Sequence, residues 1–413
     1  MKNINIKLLV ILSGVFFLTS CNKDLEQLAS IAKPVYPTGG GIATTLAANA
    51  NYSMYSALIT RAGMTATLND STKTFTVFAT DNNGMKIFVN AATGGAVPLA
   101  APDATFLGFI SASLPAASAA GIVQYNTVGQ RLLAGGIGTS FPNYPFTSQI
   151  ILDPTQPFVR MPIFPVRGTP YSYVNNLPLI ATDMAANNGV IHTAYSVAAP
   201  PTATLKTMLA GEATLSYFRA AVARADSGSI GLSKFDSLLN YGVTNMTVLA
   251  PNDAAFQTLV FGLVYSNVLA AGGSVPVAIA TANGAVAAGP AFLGTNNVST
   301  ALVKGIVAYH LLASLTSSTS TPYQPNIRVF SNNVPATPTF IKTLVNGGLA
   351  IHPGVMAKAT YTGPAVTGLQ FTGYGTFPSG GTPFSGTAAS AVTLDKHAVN
   401  GVYHIINSVL LPQ

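Results

Sequence analysis

Few side chains in this sequence are equipped for chemistry. There are five histidines (His192, His310, His352, His397 and His404), twelve acidic residues and one cysteine, Cys21. Acyl transfer through an activated serine wants a GxSxG elbow, and none occurs. Phosphate cradles of the GxxxxGK[ST] or GxGxxG kind are missing too. Paired carboxylates for glycoside hydrolysis are hard to assemble, because the only glutamates are Glu26 and Glu212 and the aspartates are scattered. A zinc site needs convergent ligands. There is no HExxH, and the proximity of Asp395, His397 and His404 reads as a chance arrangement. His192 and His404 recur at matching positions, which suits imidazoles hydrogen-bonded to backbone. The expectation is a protein without enzymatic activity, cofactor or metal.

The cysteine carries a different message. Lys2 and Lys7 precede an apolar run from Leu8 to Leu18, too short to cross a bilayer as a stable helix, and Leu18-Thr19-Ser20-Cys21 follows. This resembles a bacterial lipobox. It implies removal of residues 1–20, lipidation of Cys21 and membrane attachment through the acyl chains. Asn22 is not the aspartate that retains some lipoproteins at the inner membrane, and Lys23-Asp24-Leu25-Glu26 faintly resembles a surface-export tag. The expected location is the cell envelope, as an outer-membrane lipoprotein exposed at the surface. With no second cysteine, the folded part must rest on its core rather than on disulfides.

Composition agrees with an exported, sheet-rich protein. Only 8% of the 413 residues are charged and 49% are hydrophobic; an average chain is about one-quarter charged. Disorder wants the reverse balance. The formal charge of +7 comes from scattered basic residues, without the stripe that phosphate neutralisation requires, so nucleic acid is not an expected partner. No charged side chain lies between Asp253 and Lys304. Asn267, Gly272-Gly273, Pro276, Asn283 and Pro290 interrupt that stretch, so it does not read as a membrane span.

The elements that position these residues occur twice. Asn188-Gly189-Val190-Ile191-His192, then Ser196-Val197 and Pro200, returns as Asn400-Gly401-Val402-Tyr403-His404, then Ser408-Val409 and Pro412. The spacing is a constant 212 residues (192 to 404), and Asp183 and Asp395 precede the two copies equivalently. An Asn-Gly pair between strands predicts a type I′ hairpin turn with positive φ. The apolar runs Phe75–Ala79 and Met246–Ala250 predict buried strands. Helices are expected over Tyr52–Ala62, stopped by Gly63, and over Leu215–Ala225; a shorter one follows with Ser233 as its N-cap. Pro251-Asn252-Asp253 is a turn feeding another helix, with Asp253 favouring its positive dipole end. Gly121–Asn126 matches Gly305–His310, so Tyr125-Asn126 stands against Tyr309-His310. The growing offset places two net insertions in the second copy, and Pro200-Pro201 marks the junction.

These motifs resemble the fasciclin domain family. Thr247 to Phe256 looks like its first motif, Tyr309-His310 like its central pair, and Asn400 to Pro412 like its second motif. The first copy departs at Thr80, where proline is usual, and at Asn126, where the pair has histidine. The resemblance implies an α+β fold, with two tandem fasciclin-like domains, each a β-sheet wedge packed with short helices. The expected layout is a signal peptide over 1–20, a tether over 21–40, a divergent first domain over 41–199 and a second domain with insertions over 202–413. Asp183, Asn188, Gly189, His192, Asp253, Asp395, Asn400, Gly401 and His404 are read as structural. The resemblance also associates the Tyr-His region with adhesion, so Tyr309 and His310 are either a binding surface or core braces. The insertion Tyr361 to Thr393 is either a decorated loop or, through Phe371, Tyr374 and Phe377, an aromatic platform for a sugar ring. The expected function is adhesion or attachment to matrix or protein, with a glycan-binding accessory role in an outer-membrane uptake system as the alternative.

Overall fold

The computed structural model describes residues 38–138, 144–168, 170–295, 298–313, 327–375 and 382–413. The signal peptide, Cys21, most of the tether and Phe377 lie outside these residues. The fold is α+β, with two sheets that repeat one plan.

In the first copy, helices α1 (Ile42–Ala47) and α2 (Ser53–Arg61) lead into strand β1 (Phe75–Thr80). Helices α3 (Asn82–Ala92) and α4 (Ala116–Tyr125) follow. Then come β2 (Thr127–Val128), β3 (Phe146–Ile151), β4 (Arg160–Ile163), β5 (Pro165–Arg167), β6 (Ser172–Val174), β7 (Leu177–Ala186) and β8 (Gly189–Ala194). The strand order is β4-β3-β2-β1-β8-β7-β6-β5. The second copy has α5 (Leu205–Gly211), α6 (Ser216–Ala225), α7 (Phe235–Asn240), β9 (Met246–Pro251), α8 (Asp253–Ala270), α9 (Val275–Ala287) and α10 (Thr300–Tyr309). Its remaining strands are β10 (Leu311–Leu312), β11 (Thr339–Ile341), β12 (Val355–Thr362), β13 (Ala365–Thr372), β14 (Ala389–Ala398) and β15 (Gly401–Ile406), in the order β10-β9-β15-β14-β13-β12-β11.

Both sheets curl until their edges meet. β4 and β5 stand at opposite ends of the first order but are separated in sequence by Phe164 alone, a gap of a few ångströms. Phe164 and Asn175 lock this corner: Phe164 N–H donates to Asn175 Oδ1 at 3.0 Å and Asn175 N–H to the Phe164 carbonyl at 2.8 Å. In the second sheet Leu312 of β10 bridges to Thr343, just beyond β11, and Ala313 N–H donates to the Lys342 carbonyl at 2.7 Å.

The central strands are buried on both faces, which is why they read as continuous apolar runs. β1 pairs antiparallel with β2 and parallel with β8; β9 pairs likewise with β10 and β15. Alternation sends Phe75, Val77 and Ala79 to the helical side, with Leu58, Val89 and Val123, and Phe78 to the other, with Val128 and Ile163. Met246, Val248 and Ala250 face helices in the second copy, and Leu249 faces the opposite core. Each fully buried Val, Leu, Ile, Phe or Met among them contributes about 1.5–3 kcal/mol.

Several details depart from the sequence expectation. The hairpin turns are closed by Ala186↔Gly189 and Ala398↔Gly401, so Asn187-Asn188 and Val399-Asn400 occupy their centres. None of these central residues has positive φ, nor does either glycine, so the turns are not type I′. Glycine is required for a different reason. A Cβ at Gly189 would overlap the Phe75 carbonyl and one at Gly401 the Met246 carbonyl, where the parallel strands meet. Ser233 does not cap α7; Asp226 reaches over instead, accepting from the N–H groups of Phe235 at 2.7 Å and Asp236 at 2.9 Å. The insertion Tyr361 to Thr393 is partly strand, forming the end of β12, β13 and the start of β14, and its described residues 373–375 and 382–388 are irregular, as a decorated loop would be. The uncharged stretch after Asp253 folds as α8 and α9, broken at Gly272, where φ is +85°. Among the described residues no single helix is long and apolar enough to cross a membrane.

Gly189→Ala and Gly401→Ala are expected to destabilise the chain by about 1–3 kcal/mol or more through this overlap. Urea unfolding would read the loss as a lower midpoint; an unchanged midpoint would mean the parallel strands do not approach so closely.

Candidate functional site

The repeated polar residues form two equivalent clamps. Asn188 Oδ1 accepts from Ile42 N–H at 2.9 Å, at the start of α1, and its Nδ2 donates to the carbonyls of Leu68 at 2.9 Å and Asp70 at 3.2 Å. Asn400 does the same: Oδ1 accepts from Leu205 N–H at 2.8 Å, at the start of α5, and Nδ2 donates to the carbonyls of Leu239 at 2.9 Å and Tyr241 at 3.1 Å. Each buried carboxamide thus satisfies one helix start and the exit from another helix, groups that lack intrahelical partners.

The Asp–His pairs are also internal. Asp183 and Asp395 sit at bulges in β7 and β14 with φ of 65° and 56°, where short polar side chains are tolerated. Their N–H groups donate to Nδ1 of His192 at 3.3 Å and His404 at 3.2 Å. The Nε2 atoms lie 2.7 Å from the Leu132 carbonyl and 3.0 Å from the Val329 carbonyl. This pattern requires the neutral Nε2–H tautomer in both rings. Burial holds the His192 pKa below its ordinary value. The carboxylates bond elsewhere: Asp183 accepts from Ala134 N–H, and Asp395 from the N–H and hydroxyl of Ser331 while its Oδ1 stays 4.0 Å from His404 Nδ1. A further repeated residue escaped the sequence reading. Thr76 donates to the Gln130 carbonyl and accepts from Leu132 N–H, and Thr247 donates to the Ile327 carbonyl and accepts from Val329 N–H, at 2.6 to 2.8 Å.

Tyr309 and His310 are both 0% exposed, so as folded they are braces and present no binding surface. The Tyr309 hydroxyl donates to the Gly354 carbonyl at 2.6 Å and accepts from Tyr374 N–H at 2.9 Å. His310 Nδ1 lies 2.8 Å from the Ile306 carbonyl, and its Nε2 accepts from Leu410 N–H at 3.0 Å. Asn126 replaces it in the first copy, donating to the carbonyls of Ile122 at 2.9 Å and Ala198 at 2.8 Å. Both side chains tie the end of a helix to the segment after the closing strand. Asp253 has a second task beyond its dipole position: it accepts from Ser216 Oγ at 2.8 Å and Tyr217 N–H at 2.9 Å, joining α8 to the start of α6.

The aromatic platform does not form as expected. Phe371 is 1% exposed, in the core with Leu369 and Ile406. Tyr374 packs edge-on between His352 at 5.1 Å and Phe384 at 5.4 Å. Phe377 lies outside the described residues. Among the described residues no three His, Cys, Asp or Glu side chains converge as metal ligands.

The junction between the copies holds a deeply buried charge. Arg328 is 1% exposed, with its guanidinium carbon 4.8 Å from the ring centre of Phe164 in the first copy. Nε donates to Asn245 Oδ1 at 2.8 Å, Nη1 to His397 Nε2 at 2.7 Å and Nη2 to the Val399 carbonyl at 3.0 Å. Burial lowers the Arg328 pKa to about 10, leaving it charged at neutral pH. Burial, then the guanidinium, hold His397 well below its ordinary pKa, so it serves as a neutral acceptor.

Beside this contact the junction opens into a cleft of two lobes, 470 and 440 Å³, which share Tyr173 and Asn332. Tyr171 and Tyr361 line one lobe and Tyr195 the other. Both carboxamide atoms of Asn332 and Nδ2 of Asn333 are buried without a hydrogen-bond partner, a cost of about 1–3 kcal/mol for each such group. Sequence reasoning missed this cleft, because its residues come from separate copies and its tyrosines and asparagines belong to none of the repeated motifs; the Asn332-Asn333 doublet was a local signal.

No family model matches this sequence, and no curated protein matches it. Among solved structures, one that matches is a FAS1 domain pair from the insect cell adhesion molecule fasciclin I. It is 13% identical, covers 87% of this chain and 96% of its own, and superposes with a TM-score of 0.32. The two-copy plan described above rests on the repeats within this chain.

Burial pushes the His310 pKa down to about 4, against about 6.5 in an unfolded chain. Above pH 6.5 the stability is fully present. As pH falls from 6.5 towards 4 the unfolded chain takes up the proton first, and stability is lost. His192 and His397 act in the same direction. His310→Asn, the first copy's solution, removes one of these contributions. The difference in unfolding free energy between wild type and variant, measured in urea at pH 7.5 and pH 5, is expected to move by about 1–2 kcal/mol in the variant's favour at the lower pH. An unchanged difference would place His310 in contact with solvent.

Proposed function

We propose that this chain is a non-enzymatic, lipid-anchored protein of the bacterial cell envelope whose paired fasciclin-like copies mediate adhesion or attachment to matrix or protein. The observation that carries this reading is how its side chains are used. The repeated polar residues are engaged inside the fold, while the surface peculiar to the second copy is built for contact. Helix α9 carries Val275, Val277 and Ile279 at 50%, 53% and 42% exposure within a stretch free of charge. Val275 and Ile279, four residues apart, share one face of this helix, with Val277 on the other side of its buried alanines; apolar side chains exposed together in this way mark interaction surfaces. The lipobox supports an anchor at Cys21, and Asn22 supports delivery to the outer membrane with the body of the chain at the cell surface.

Two experiments address this. Cys21→Ser is expected to move the protein from the membrane fraction to the soluble fraction and to abolish fatty-acid labelling; persistence in the membrane would remove the anchor. Cells displaying the full chain are expected to attach to immobilised matrix proteins. Val275→Asp with Ile279→Asp should lower attachment several-fold at an unchanged unfolding midpoint, since both sites are exposed. Attachment indifferent to the chain's presence would sink the adhesive reading.

A further inference from the structure

We propose that the cleft between the two copies is a binding site for a neutral saccharide, stacked on its tyrosines and hydrogen-bonded by its asparagines. This rests on reading the chain as a binding protein and names a ligand class for it. Each lobe, at 470 and 440 Å³, falls within the roughly 300–1,000 Å³ of small-molecule sites.

The lining has the chemistry such a ligand needs. Tyr171 and Tyr195 are 37% and 51% exposed, so their rings are open to the CH faces of a sugar. Tyr173 and Tyr361 are fixed from behind. The Tyr173 hydroxyl donates to the Pro364 carbonyl at 3.0 Å and that of Tyr361 to the Val334 carbonyl at 2.6 Å. Tyr173 thereby links the copies, and the walls are held by the fold rather than by a ligand. Asn332 stands where the lobes meet, and its carboxamide, an acceptor and a double donor, is covered as folded and has no partner in the chain, so rotation of this side chain brings it to a ligand in the cleft. Buried amides in native proteins are nearly always satisfied, and vicinal hydroxyls, each donor and acceptor, match an amide's two ends. The charges nearby do not favour an ionic ligand: Asp395 is engaged by Ser331, and Arg167 is the one cation among the residues lining either lobe.

The test uses the full chain in detergent with an array of neutral hexose and N-acetylhexosamine oligosaccharides beside uronic-acid oligosaccharides, followed by calorimetric titration of the best ligand. A neutral saccharide is expected to bind and to raise the unfolding midpoint. Tyr195→Ala, Tyr171→Ala and Asn332→Ala should each weaken it by tenfold or more. Asn332→Ala should leave the unliganded midpoint unchanged or higher, because it removes an unsatisfied amide. If Asn332→Ala fails to fold, the exposed Tyr195→Ala decides alone. Absence of any saccharide binding, or binding indifferent to these substitutions, overturns the proposal. So does preference for a uronic acid that is lost in Arg167→Ala and kept in Tyr195→Ala. Attachment to matrix proteins is measured on the same variants. Attachment without saccharide binding ends this inference and leaves the adhesive reading standing; saccharide binding without attachment does the reverse.

Discussion

Everything in each copy hangs from one buried carboxamide. Asn188 and Asn400 sit at the tip of the closing hairpin, yet their bonds run to helix ends more than a hundred residues earlier in the chain. The hairpin strand then runs parallel to the first strand of its sheet, with glycine allowing the backbones to meet. Sheet, helices and hairpin are therefore held at a single point. A buried group with this many partners is costly to leave unsatisfied, which ties formation of the hairpin to docking of the helices. The threonine and histidine clamps repeat this logic one layer further, pinning the irregular crossing segments to the central strands.

The junction works on a different principle. Arg328 has only neutral partners: an amide, an imidazole, a carbonyl and the face of Phe164. A buried cation is tolerable when its donors are satisfied and an aromatic face supplies the remaining field. Arginine suits this role better than lysine, because its planar fork meets three acceptors at once and stacks on a ring. Phe164, Phe330 and Val402 form the apolar seal around it. The two copies are thus joined by contacts that neither contains by itself.

Much of this plan was legible in the sequence. The duplication, the buried central strands, and α2 with its stop at Gly63 all followed from spacing and apolar periodicity, because local patterning dictates them. The hairpin glycines were read correctly as structural but for the wrong reason, since the parallel partner that crowds them is far away in sequence. Tyr309 and His310 looked equally suited to surface or core, and only packing decides between those. Phe371 stands on β13 between exposed Gln370 and buried Thr372, and which face is inside depends on β12 and β14. The cleft and the Arg328 contact lay beyond sequence reading altogether, because they join residues that no repeat or local period relates.

The curled sheets have a consequence for how such a chain survives in company. A sheet edge is a template for another strand, and proteins usually guard edges with charge, notably lysine. At 8% charged residues this chain has little to guard with. Its outermost strands are short, from Leu311–Leu312 to Arg160–Ile163, and each sheet turns its two ends towards each other, at Phe164 and at Leu312–Thr343. Shape takes over a task that electrostatic repulsion performs elsewhere, so solubility here should depend little on ionic strength and heavily on those two corners remaining shut.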